Sequence, residues 1–474
     1  MGNITKNYIY NAAYQLLVLL TPIVTAPYLS RVLGAENLGI YSYINSSGII
    51  IVTIFLLGIY AYGNRQIAYV RDKRLEVTKT FWELEFSRLI LLILGSIAYF
   101  LYLQFNGEYK IYFILYYPYV ISQFIDCSWV YVGMEDMKPA VIKNFIARLA
   151  NVVGIFIFVR DRGDLGKYIF IYAMTTLIAN ASIYLQLHKY IDKPNAQVKK
   201  IFYHIKNSTV LFLPQAATLL YLQVDKVMLQ WLTGRSEQVS YYDQAEKIIN
   251  IPLALITVLS TVVMPRIANE FKKKNLHVIE KLINRVCNYA LFMACPMMVG
   301  LFAIARQFVP WYLGNEFLST AYLMMILSPL VVLNSLTGIS GEQFFTATNQ
   351  IGILFRSYIS AAVVNICINA VLIPKIGCYG SAIATVFSSL ISVIIQYNFL
   401  FKQIHIKELK VAGIKYGMGA VLMGGILFLL TGKLSASINT TVIQIVIGGI
   451  CYIVYLLLIK DSTLKEIFKF LKGK

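Results

Sequence analysis

Asp126, Asp225 and Glu342 interrupt otherwise apolar stretches of a chain of 474 residues. An ionisable group at bilayer depth costs about 2.5–3.5 kcal/mol on insertion scales, so it faces protein or a water-filled cavity, where it can carry ions or anionic ligands. Around Asp126, the residues Tyr119, Ser122, Trp129 and Gly133 share one helical face, with Gln123 beside it. That spacing suits a cavity wall and equally a polar contact to a neighbouring helix. Asp225 and Lys226 are consecutive, about 100° apart on a helix, and cannot share a face. Asp243 precedes Lys247 by four residues, the favourable order for a helix ion pair, with Glu246 alongside. Glu342 ends a stripe of Asn334, Thr337, Gly338 and Gly341, whose small residues suit close helix packing. Arg88 follows Glu85 by one turn. Arg31, Arg306 and Arg356 lie near the ends of apolar runs, where a long side chain reaches the interface.

Other chemistries lack their residues. The six cysteines show no paired spacing and imply neither a disulfide framework nor a metal site. The four histidines all fall in one set of loops, which argues against a histidine proton relay through the membrane. No glycine-rich loop ending in Lys and Ser/Thr is present, which argues against direct ATP use.

The elements that position these groups are transmembrane helices. The chain is 58% hydrophobic and 14% charged, with a mean hydropathy of +0.65; a soluble chain carries about 25% charged residues. Apolar runs near 20 residues, the length that crosses a bilayer core, recur as fourteen spans: 8–32, 40–63, 81–104, 111–133, 141–159, 168–188, 208–233, 241–264, 286–307, 319–345, 353–373, 380–400, 412–431 and 440–459. The runs are continuous rather than alternating, so a β-barrel is disfavoured. The net charge of +19 would suggest nucleic acid in a soluble protein. Here thirty Lys and Arg fall in one set of loops and nine in the other. That partition reads as orientation, with both termini cytoplasmic and no nucleic-acid partner.

The spans repeat. Gly34 aligns with Gly234, Tyr41 with Tyr241, and Arg65-Gln66-Ile67-Ala68 with Arg266-Ile267-Ala268. Further on, Asn151 aligns with Asn365 and Gly166 with Gly380. The expected fold is therefore an all-α polytopic membrane protein of about 14 helices, in two pseudo-symmetric six-helix lobes plus two C-terminal helices. The division is 1–190 for the N-terminal lobe, 191–207 for a cytoplasmic linker, 208–402 for the C-terminal lobe, and 403–474 for spans 13 and 14 with a basic tail. Parallel repeats of this kind are a transporter signature, with the substrate path at the lobe interface.

Particular motifs carry a family resemblance. They are Lys6-Asn7-Tyr8 with Asn11 and Tyr14-Gln15, Pro27-Tyr28-Leu29-Ser30-Arg31-Val32-Leu33-Gly34, Gly39-Ile40-Tyr41-Ser42, Tyr62-Gly63-Asn64-Arg65 and Gly133-Met134-Glu135-Asp136-Met137. Together they resemble the polysaccharide-transporter branch, the Wzx-type oligosaccharide flippases, of the multidrug/oligosaccharidyl-lipid/polysaccharide (MOP) exporter superfamily. The resemblance implies a MATE-like pair of lobes in alternating access in the bacterial cytoplasmic membrane, with no catalytic residue. Its implied substrate is an oligosaccharide on undecaprenyl pyrophosphate, moved from the cytoplasmic to the outer leaflet, beside the polymerase and glycosyltransferases of the same pathway. Candidate cations for the pyrophosphate and sugars are Arg31, Arg88, Lys226, Lys247 and Arg356. Candidate carboxylates for H⁺ or Na⁺ coupling are Asp126, Asp225 and Glu342; no cofactor or metal is implied. The competing readings are a lipid II flippase, a MATE-type drug/cation antiporter and, in another class, a membrane polysaccharide polymerase. The short outer loops disfavour the polymerase.

Overall fold

The computed structural model describes the backbone of residues 3–194, 196–406 and 408–471, and their side chains other than 3–20, 198, 210–211, 213–221, 257–262 and 467–471. The side chains of Lys6 to Gln15, the first recognition motif, lie outside that description. The described residues are helical throughout, joined by short turns. In order they form α1 (Asn3–Leu56), α2 (Ile59–Val70), α3 (Arg74–Gln104), α4 (Lys110–Ile125), α5 (Ser128–Gly133), α6 (Lys138–Phe158), α7 (Leu165–Ser182), α8 (Val198–Thr233) and α9 (Ser236–Lys272). There follow α10 (Leu276–Tyr312), α11 (Leu318–Leu327), α12 (Leu330–Thr337), a π-helical segment Gly338–Thr346, α13 (Ile351–Ile376), α14 (Cys378–Leu400), α15 (Glu408–Thr431), α16 (Ile438–Leu458) and α17 (Ser462–Leu471).

Nine of these helices, counted among the described residues, are long and apolar enough to cross a membrane; a tenth span is the pair Asn315–Leu327 and Leu330–Thr346, bent by 48°. Each of the fourteen expected spans is helical, though several are not straight. The span expected at 40–63 breaks at Leu57 and Gly58, both at positive φ. The span expected at 111–133 stops at Ile125 and restarts at Ser128.

Chain contacts divide the molecule into two compact units, Met1–Gln230 and Trp231–Lys474. In the first, α1 is two helices meeting at Gly34, whose φ of 77° and ψ of 176° fall where only glycine sits without strain. The break leaves the Leu33 carbonyl open. The Asn37 amide donates to it at 3.0 Å and to the Arg162 carbonyl at 2.8 Å. Tyr28 Oη donates to the Val159 carbonyl at 2.6 Å, so both sides of the break are tied to the turn after α6. The aligned glycine of the repeat, Gly234, also has positive φ, 64°. Close approach governs α2 and α5. A Cβ on Gly63 would lie 2.7 Å from the Trp129 ring, and one on Gly133 would lie 2.8 Å from the Asn64 carbonyl oxygen.

Described residues between Ile191 and Asn207 pack onto α3 within this same unit. Arg74 holds Asp192 with two bonds at 3.0 and 2.8 Å, and Trp82 Nε1 donates to the Asp192 carbonyl at 3.0 Å. Deeper in, Ser87 donates to the Ile201 carbonyl at 3.0 Å. His204 Nε2 lies 3.1 Å from Glu83 Oε2, and Tyr62 Oη lies 3.0 Å from His204 Nδ1.

In the second unit, α15 lays Tyr416, Ala420, Met423 and Leu427 against Leu291 and Cys295 of α10, while α16 adds Tyr452 and Leu456. The opposite faces of α15 and α16 expose Val421, Leu429, Val442 and Ile445. That is the pattern of helices with lipid on one side. Asp461 starts α17 by accepting from Leu464 N at 2.8 Å, and it pairs with Lys415 at 2.6 Å.

Two predictions follow from this geometry. Gly34→Ala should lower the thermal midpoint of the purified protein by the equivalent of about 1–3 kcal/mol. Gly107→Ala, where a Cβ meets nothing within 4 Å, should leave it unchanged. The hydrogen bonds from Arg74 hold the Asp192 carboxyl below the usual aspartate range. A depressed carboxyl contributes stability that is full above its unfolded pKa and is lost as pH falls through the folded one. Exchange protection at the Asp192 amide, which donates to Thr78 Oγ1, should therefore hold at pH 5 and fade only below about 3.9, the ordinary aspartate value.

Candidate functional site

The first unit buries a charge-neutral cluster at the α4–α5 break. Helix α4 ends at Ile125 because Asp126 turns extended, with φ −69° and ψ 104°. Its carboxylate then caps α5, accepting from Ser128 N at 3.0 Å and Ser128 Oγ at 2.5 Å. A helix end leaves its last carbonyls without intrahelical partners. Here Asn180 Nδ2 donates to the Ser122 carbonyl at 2.9 Å and Arg88 Nη2 to the Gln123 carbonyl at 3.2 Å. The break and the side chains that satisfy it are one construction.

Two ion pairs complete it. Lys143 Nζ donates to Asp126 Oδ1 at 2.5 Å and to Asn180 Oδ1 at 2.6 Å. Arg88 Nη1 donates to Glu85 Oε2 at 3.0 Å, and Tyr184 Oη donates to Glu85 Oε1. The Arg88 guanidinium lies 6.0 Å from the Trp129 ring centroid. Side-chain exposure is 2% for Arg88 and 3% for Lys143, against 17% for Glu85 and 22% for Asp126. The cations are thus the deeper partners. Among the described residues, Arg88 Nε and Trp129 Nε1 are buried without an acceptor. The cluster's unmet capacity includes donors, which suits an anionic or hydroxyl-bearing ligand.

The expected site residues do not all meet. Arg88 and Asp126 come together through the residues of the break. The expected face of Tyr119, Ser122, Asp126, Trp129 and Gly133 is interrupted, because Asp126 leaves the helix to cap the next one. Asp225 and Lys226 are both buried in the first unit, at 1% and 7% exposure, and both are engaged by neighbouring groups. Arg31 is exposed and donates to the Pro27 carbonyl at 3.1 Å. In the second unit, Lys247 pairs with Asp243 at 2.6 Å, the ion pair that the spacing predicts. Arg356 and Glu342 are exposed, Glu342 within the π-helical segment.

Lys143 and Asn180 escaped the sequence reading. Lys143 counts there among the loop cations, although it falls just inside the span expected at 141–159. A second polar construction also escaped it. On α14, Ser381, Thr385, Ser388, Ser392 and Gln396 form a seam in which no member exceeds 6% exposure. Gln396 Nε2 donates to Ser357 Oγ at 2.9 Å, Ser340 Oγ donates to Gln396 Oε1 at 2.6 Å, and Tyr242 Oη meets Thr385 Oγ1 at 2.8 Å. The recurrence of polar residues every three to four positions was the available signal.

Breaking a buried ion pair from one side costs about 3–5 kcal/mol, whereas replacing both partners with apolar groups is often near neutral. Lys143→Met alone should therefore lower the thermal midpoint of the purified protein sharply. The double variant Lys143→Met with Asp126→Leu should recover at least half of the loss, as a double-mutant cycle would show.

Comparison with known proteins bears on this fold. Relatives in Escherichia coli (strain K12) and Shigella dysenteriae, each named "Putative O-antigen transporter", are 25% and 27% identical. The matches cover 73% and 79% of this chain, and 84% and 94% of theirs. The solved structure of the lipid II flippase MurJ, in an inward closed conformation, superposes with a TM-score of 0.71 at 17% identity, over 96% of this chain and 99% of that one. The family Lipid II flippase MurJ matches residues 147–448, and the family Polysaccharide biosynthesis protein matches residues 4–271. The chain belongs to the Polysaccharide biosynthesis protein family, within the polysaccharide-transporter branch of the MOP superfamily.

Proposed function

We propose that this chain is a flippase for lipid-linked oligosaccharides, carrying undecaprenyl-pyrophosphate-linked repeat units from the cytoplasmic to the outer leaflet for surface polysaccharide assembly. The observation that carries this reading is the family match over more than half of the chain, together with relatives named as O-antigen transporters. The chemistry is translocation without bond breakage, and the protein is a membrane transporter. Both termini are cytoplasmic in this reading, from the partition of Lys and Arg, and the membrane is the bacterial plasma membrane. The polymerase and glycosyltransferases of the same pathway supply and consume the cargo.

The two lobes of the sequence repeat would alternate access around the substrate path. Arg88 and Asp126 are the candidates whose surroundings are most developed, through their pairs with Glu85 and Lys143. Arg31, Lys226, Lys247 and Arg356 are further candidate cations for the pyrophosphate. Coupling to H⁺ or Na⁺ would run through Asp126, Asp225 or Glu342. At Asp126 an incoming ion has to compete with the Lys143 ammonium at 2.5 Å. A lipid II flippase is the second reading, supported by the match over 147–448.

Depletion of the protein in its own cells, followed by mass spectrometry of lipid-linked glycans with leaflet accessibility, separates the readings. Build-up of one complete undecaprenyl-linked repeat unit on the cytoplasmic side is the expected result. Build-up of lipid II would move the assignment to the second reading, and no build-up of either would remove both. Asp225→Asn or Glu342→Gln should slow transport at least tenfold if that carboxylate couples an ion. Full transport in both of these variants and in Asp126→Asn would eliminate carboxylate coupling.

A further inference from the structure

The second unit has a groove of about 570 Å³ between α10, α11 and α15, sharing no lining residue with the buried polar seam. Its walls are apolar, with Val299, Phe302, Met325, Val421 and Phe428 among them, and it contains no acidic residue. Gly424 and Gly425 lower one wall. A Cβ on Gly424 would lie 2.4 Å from Val299, whereas one on Gly425 would meet nothing within 4 Å. At one end stands Arg306, exposed, its guanidinium 5.5 Å from the Tyr322 ring centroid. Among the described residues it has no carboxylate partner. Gln307 is folded back to the Gly432 carbonyl at 3.2 Å, and Lys433 follows Gly432 at the same end.

The level of this end is marked by aromatic side chains. Phe308 stacks on Tyr312 at 4.7 Å, and Trp311 Nε1 donates to Thr441 Oγ1 at 2.7 Å. Trp and Tyr concentrate where headgroups meet hydrocarbon. Arg306 therefore stands at headgroup height over an apolar trough, among the few cations that the charge partition assigns to the outer side.

We propose that this groove holds an anionic phospholipid of the outer leaflet, one acyl chain in the trough and its phosphate on Arg306. Three features select that occupant. The cation and neighbouring Lys433 complement a headgroup of net negative charge, and no lining carboxylate is present to receive the ammonium of a zwitterionic one. With a volume of about 570 Å³ the groove has room for a length of acyl chain. The proposed occupant is a resident phospholipid, distinct from the transported lipid.

The test is native mass spectrometry of the full-length protein released from bicelles of equal phosphatidylglycerol and phosphatidylethanolamine. One retained phosphatidylglycerol per protein is expected. Loss of one cation near the surface, about 1 kcal/mol, should cut the preference roughly fivefold in Arg306→Gln. Gly425→Leu, on a different helix and with open space at its Cβ, should abolish retention with the thermal midpoint unchanged, which keeps the test decisive if the arginine variant fails to fold. Equal retention of the two phospholipids, undiminished preference in Arg306→Gln, or full retention in Gly425→Leu would overturn the proposal. So would mole-for-mole displacement by undecaprenyl phosphate, which would assign the groove to the transported lipid.

Discussion

Lys143 and Arg88 are cations buried in a chain whose solvent is hydrocarbon, and the centre of the first unit is arranged around neutralising them. Taking an ion out of water costs several kcal/mol even after relaxation, so each needs a close counter-ion and further hydrogen bonds. A continuous helix through 111–133 would not supply them. By stopping at Ile125 the chain frees two carbonyls that face Asn180 and Arg88, and it turns Asp126 so that one carboxylate serves both Ser128 and Lys143. The carbonyls and carboxylate freed at the break are the groups that pair with the buried cations.

This coupling explains which parts were legible in the sequence. Bilayer thickness sets the length of each apolar run, so the fourteen helical regions could be read from composition alone. The repeat was legible for a similar reason: a positive φ at Gly34 and Gly234 is a local demand that glycine meets. The cluster was not legible, because its members lie on α3, α4, α6 and α7 and only packing brings them together. Lys143 looked like a loop lysine since an isolated cation near a span end normally reaches water. Its partner sits 17 residues earlier, across a break that periodicity had no means of announcing.

Several described residues of the motifs that carry the family resemblance are packing residues. Gly63 admits the Trp129 ring, Gly133 admits the Asn64 carbonyl and Ile67, and Arg71 pairs with Glu135 across the same contact. Tyr28 holds the end of α6, while the hairpin turns at Gly34. These demands are set by the backbone and are indifferent to the glycan. The family was therefore readable from the chain where the cargo was not: sugars meet side chains whose identity the fold leaves free.

The segment 191–207 lies within the first unit. It reads as a linker because it is polar and rich in lysine, yet Arg74, Trp82, Ser87 and Glu83 bind it to α3 as far as His204. Those residues are tied into the first unit. Helix α8 runs on without interruption from Val198 to Thr233, and the next departure from helical geometry is Gly234 at φ 64°. A helix inside a bilayer bends at low cost only where neighbouring groups re-satisfy its backbone, whereas a glycine at positive φ turns without that requirement.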